Sequence, residues 1–112
     1  MLTLPPIDSV TALLSGRVQD TVSLDEVRRS FASGASQSII IPHQYADLVR
    51  ILTEPQPPGT LHWLVEGVIG WGIDHDPSDR GAAVVLWEIA GLLREELEKV
   101  GRLNDFYWPD IG

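Results

Sequence analysis

Val10, Leu13 and Leu14 are the first apolar positions that keep a helical beat, and Gly16 follows them. That spacing puts three side chains on one side of a helix. A first helix is expected from Asp8 or Ser9 to Ser15, after an extended start at Pro5-Pro6. Residues 17–22, RVQDTV, lose the beat and read as a connector or a short strand. Ser23 and Glu26 then supply an S-x-x-E capping box, with Val22 and Val27 at the hydrophobic-staple positions. Leu24, Val27 and Phe31 continue that second helix, and Gly34 is its expected stop.

Residues 36–41, SQSIII, carry two readings. Three consecutive isoleucines favour a buried strand, and Pro42 disfavours helix at Ile41. A third helix is expected to start at Pro42, with Tyr45, Leu48, Val49 and Leu52 as its apolar stripe. EPQPPG at 54–59 reads as a rigid internal loop. From Thr60 to Ile73 the chain is apolar nearly all round, which predicts a buried fourth helix weakened by Gly67, Gly70 and Gly72. The fifth and longest helix is expected over residues 77–100. Its core stripe is Ala82, Leu86, Ile89, Leu93, Leu97 and Val100, with Glu88, Gly91, Glu95 and Glu98 opposite and Gly101 as C-cap.

The pattern predicts an all-α single domain spanning residues 1–112: a compact bundle of about five helices with a long C-terminal helix. The alternative is α+β, with a short strand pair near 17–22 and 36–41. No repeat or low-complexity segment breaks the chain. Its 112 residues can hide well over half of their unfolded surface. With 44% hydrophobic and 21% charged residues, the composition is that of a globular protein.

Charge narrows the partners. Sixteen acidic residues against eight basic ones give −8, which opposes direct contact with nucleic-acid phosphates or an anionic membrane surface. A basic protein is the natural complement. Absence of cysteine removes disulfides and thiolate chemistry and fits a cytoplasmic protein. The start, MLTLPPIDSV, lacks the basic and long apolar regions of a secretory leader, and no apolar run is long enough to span a bilayer.

The densest polar chemistry is GIDHDPSDRG at 72–81. Asp74, Asp76 and Ser78 begin a calcium-loop spacing, but Asp79 stands where that loop needs glycine and Val85 where it needs glutamate. Helix capping fits better: Asp76 as N-cap, Pro77 at the first position, and Asp79 at the third, where it complements the helix dipole. A cation held by His75 with two carboxylates is the competing reading. His62 and Glu66, one helical turn apart, are a candidate acid–base pair. His43, His62 and His75 otherwise keep no metal-binding spacing, and no nucleophile elbow or phosphate loop is present. Neither a cofactor nor enzymatic activity is expected.

Nine of the sixteen acidic residues fall in the last 39 positions. Glu95 with Lys99, and Glu98 with Arg102, are expected to pair along the helix. The tail places Phe106, Tyr107 and Trp108 together between Asp105 and Asp110, and aromatics beside carboxylates suit an interface facing a basic partner. The expected contact set is therefore Asp74, Asp76, Asp79, Glu88, Glu95, Glu98, Asp105, Tyr107, Trp108 and Asp110. The corresponding function is an acidic module that masks the surface of a basic protein such as a nuclease-like toxin. Bacterial immunity proteins and antitoxins act in this way, although no motif ties the chain to any of them. The alternative is a small structural or adaptor subunit with an apolar interface on Trp63 or Trp71. A metal-dependent enzyme using His62, Glu66, Asp74, His75 and Asp76 is the third class.

Overall fold

A computed structural model describes residues 5–35, 38, 40–73, 76 and 78–102. Helix α1 (Pro6–Arg17) begins two residues earlier than the sequence suggests, because the extended Pro5 precedes a proline whose missing N–H costs nothing in the first turn. It also runs past Gly16, since Val18 just beyond it is fully buried. Arg17 reaches across to α2 (Leu24–Ala35), where its guanidinium donates to the Ser30 carbonyl at 3.3 Å. Gly34 is therefore an inter-helix seat and not a helix stop: a Cβ there would stand 2.9 Å from Arg17 Cζ.

The start of α2 is half as expected. The Glu26 N–H donates to Ser23 Oγ at 3.3 Å. The hydrophobic staple does not form, because Val22 is 85% exposed beyond the turn made by Asp20 at φ 72°.

Helix α3 (Ile41–Thr53) overturns the strand reading at its described end. Ser38 Oγ accepts from the N–H groups of Ile40 and Ile41, supplying the partners that a helix start lacks. Pro42 is accommodated in that first turn. Among the described residues there is no strand, and helices make up 74% of them, so the fold is all-α. The buried face of α3 is also turned from the expected stripe. Leu48 is buried, but Gln44, Asp47 and Ile51 accompany it, while Tyr45, Val49 and Leu52 are only half-buried. Asp47 is an exception in this core: its Oδ2 is buried without a hydrogen bond, 3.3 Å from His43 Nε2.

The fourth segment is shorter and wound differently from expectation. A single α-turn, α4 (Thr60–His62), runs directly into a π-helix (Trp63–Ile69) that ends at Gly70 with φ 88°. The wider turn keeps Leu64, Val65, Val68 and Ile69 inside and leaves Trp63 49% exposed, so the segment is not buried all round. Beyond it, Trp71 Nε1 donates to the Thr21 carbonyl at 2.9 Å and ties this end to the α1–α2 connector.

Helix α5 (Asp79–Lys99) is the longest element, 21 residues. Ala82, Leu86, Ile89, Leu93 and Leu97 are fully buried, as their spacing predicts. Val100 is 41% exposed, because the helix has closed before it. Gly101, at φ 71°, donates to the Glu98 carbonyl, and Arg102 donates to that of Leu97, the Schellman pattern. The main packing partners are α1 with α3, and α5 with α2, α3 and α4. Phe31 and Leu48 meet the α5 stripe in one continuous apolar cluster. The Cα radius of gyration, 13.6 Å, is close to the roughly 13 Å of a chain this long folded as one unit.

Candidate protein-interaction surface

The sequence-predicted contact residues divide into three groups. Asp74, Asp105, Tyr107, Trp108 and Asp110 lie outside the described residues, as does His75. Asp76 and Asp79 work within the chain. Glu88, Glu95 and Glu98 share the solvent side of α5.

Capping is the work of the aspartates, with roles shifted by two positions from expectation. Ser78, not Asp76, is the N-cap of α5, and its Oγ accepts from the Gly81 N–H at 3.4 Å. Asp76 Oδ1 accepts from the N–H and hydroxyl of Ser78. The Asp76 backbone comes so close to α5 that a Cβ on Gly81 would collide with its carbonyl oxygen. Asp79 is the first residue of α5, not the third. Its carboxylate accepts from the N–H of Gly59 at 2.7 Å and of His62 at 2.9 Å, closing the start of α4 from the start of α5. Those two backbone donors hold the carboxyl below its ordinary range.

The acidic side of α5 is largely engaged as well. Arg28 of α2 bridges Glu95 at 2.9 Å and the buried Glu96 at 3.2 Å, and Lys99 reaches Glu96 at 2.8 Å. The bond from Lys99 and the Arg28 contact draw the Glu96 carboxyl below its ordinary range against the opposing effect of burial. Glu98 pairs with Arg94 at 3.3 Å. The expected Glu95–Lys99 and Glu98–Arg102 pairs are replaced by these, and Arg102 donates instead to the Ala35 carbonyl at 2.7 Å. Sequence spacing shows only partners on the same helix, so Arg28, far away in sequence, could not be found that way. Glu88 is exposed and makes no ion pair among the described residues.

What sequence reasoning missed lies between these carboxylates. Val84 is 55% and Trp87 45% exposed on α5, and nothing lies within 4 Å of where a Gly91 Cβ would stand. Arg80, Val84, Trp87, Gly91, Arg94 and Glu98 are all exposed and are spaced four, three, four, three and four residues apart. That is the spacing of a helix-pairing seam. The signal was present in the sequence, since Val84 and Trp87 fall outside the expected core stripe of α5, but the carboxylates on that side of the helix drew the whole contact set.

His62 Nε2 lies 2.9 Å from Glu66 Oε2, so the sequence-predicted pair forms at the surface of the π-helix. Among the described residues no third histidine or carboxylate joins them in a metal-binding group. No described helix is long and apolar enough to cross a membrane. Compared with known protein families, curated proteins and solved structures, the chain matches none.

Proposed function

We propose that the chain is a protein-interaction module, a small adaptor or structural subunit, whose contact surface is the outer face of α5. The observation that carries this reading is the exposure of Trp87 and Val84 at the middle of that face. Tryptophan is the residue most enriched where binding energy concentrates, and a partner gains most by covering apolar area held rigid beforehand. Here the helix is fixed by its caps, by its buried stripe and by the Arg28 bridge to α2. In this reading the apolar centre of the interface is Val84 and Trp87 on α5, where the sequence suggested Trp63 or Trp71. Glu88 and Glu95 form a charged rim, and Glu98 ends the stripe itself.

Masking of a basic protein is the second reading, favoured by the net charge of −8 and by exposed Glu88. Salt separates the two, because rim charges are screened and apolar contacts are not. The experiment is capture from a lysate of the source cells by the tagged full chain and by its Trp87→Ser variant, at about 0.1 M and about 1 M salt. The adaptor reading expects a partner retained at high salt and lost with Trp87→Ser. Capture lost at high salt but indifferent to Trp87 would favour masking. A partner retained equally by both proteins at both salts would remove α5 from the account.

A further inference from the structure

We infer that the outer stripe of α5 is a self-complementary seam that pairs with α5 of a second copy, antiparallel, about a two-fold axis on the outer face at the height of position 89 along the helix. This deepens the interaction reading above by naming the partner. The six exposed stripe positions, Arg80, Val84, Trp87, Gly91, Arg94 and Glu98, are symmetric about position 89 in their spacing. Reversing one helix against another therefore lays each position on another member of the same stripe.

The residues that meet are complementary. Trp87 faces Gly91 of the second copy, the largest side chain against a position with open space where a side chain would stand. Arg80, which has no ion pair among the described residues, faces Glu98. The apolar stem of Arg94 faces Val84. Each of these contacts occurs twice, as an isologous interface requires. The seam runs from position 80 to 98, roughly 27 Å at the helical rise, enough for coiled-coil layers of the alternating antiparallel kind.

Other arrangements fit worse. In a parallel pair in register, Arg80 would face Arg80 and Arg94 would face Arg94, while Gly91 on Gly91 would leave a void. A shift by one heptad removes both the tryptophan–glycine and the arginine–glutamate contacts. The stripe also departs from the acidity of the chain: it holds two arginines and one glutamate, against −8 for the whole. A basic partner has little to gain from it. Beside the axis, Glu88 of each copy approaches its own image, and two chains of −8 repel one another at long range. Self-association is therefore weak at low salt and strengthens as salt screens the repulsion.

The experiment is sedimentation of the full chain over a concentration series from about 1 μM to about 1 mM, at low and high salt. A monomer–dimer equilibrium that tightens with salt is expected. Arg80→Glu weakens it by about tenfold or more, and adding Glu98→Arg restores it. Because the chain has no cysteine, Arg80→Cys and Glu98→Cys variants report the register directly. Mixed under mild oxidation they join the two chains, whereas each alone stays unlinked. A monomer at every concentration, or a dimer indifferent to the charge exchange and unlinked in the mixture, would overturn the inference. A monomer that still captures another protein through Trp87 would overturn the second copy and leave the interaction reading standing. A Trp87→Ser chain that dimerises and captures as before would overturn both.

Discussion

At Asp79 a single carboxylate closes two helices. It begins α5 and accepts from the Gly59 and His62 N–H groups at the start of α4. Removing it leaves two helix-start donors without their acceptor, so Asp79→Ala is expected to lower stability by about 1–2 kcal/mol in chemical denaturation. Asp79→Asn, which keeps one acceptor oxygen, should lose less. Gly81 is fixed by a different cause. Its helix is regular, but the Asp76 carbonyl occupies the space a Cβ needs. Gly81→Ala must push that backbone aside and is expected to lose about 2 kcal/mol or more, measured the same way. Gly91 has open space instead. Gly91→Ala should stabilise the chain by up to about 1 kcal/mol through helix propensity alone.

Among the elements, α5 was the most legible in the sequence and the fourth segment the least. Ala82, Leu86, Ile89, Leu93 and Leu97 repeat at helical spacing without a break, so the buried face of α5 follows from the pattern. The segment after Thr60 has only His62 and Glu66 on its polar side, too few to set a period, and a change from α to π winding leaves no mark on the apolar run around them. SQSIII misled for a related reason. Isoleucines suit a strand, but Ser38 offers its hydroxyl to two backbone donors and starts a helix. The candidate site was legible in part. The exposed positions of Glu88, Glu95 and Glu98 follow from the same period as the core. Their partners do not, because Arg28 arrives from α2 by tertiary packing. That bridge makes its own test at this scale. Glu96 is buried, and Glu96→Gln should lower stability at neutral pH by about 1–2 kcal/mol by weakening the tie between α2 and α5.

For the whole molecule, acid and salt are the informative variables. The carboxyls of Glu96 and Asp79 are held below their ordinary values of 4.5 and 3.8 by bonds that exist only in the fold. The unfolded chain then binds protons more readily than the folded one, so stability rises with pH through this range. Their contribution is complete above the ordinary values and drains away as pH falls through the lowered ones. The melting temperature should therefore hold between about pH 7 and 5 and fall below about pH 4.5, with a shallower fall in Glu96→Gln. Acidity governs association as well as folding: a chain of −8 keeps its copies apart until salt screens them. The same charge led the sequence reading toward a basic partner, while exposed Val84 and Trp87 on α5 favour a partner that covers them.

The central claim, that the outer face of α5 is the contact surface, is most directly tested by site-specific photo-crosslinking in the source cells. A photoreactive amino acid is placed at Val84, and in a second strain at Ala12, an exposed position on α1. Discrete crosslinked species from position 84, whether to a second copy or to another protein, and none from position 12 are the expected result. Crosslinks from position 12 with none from position 84 would contradict it.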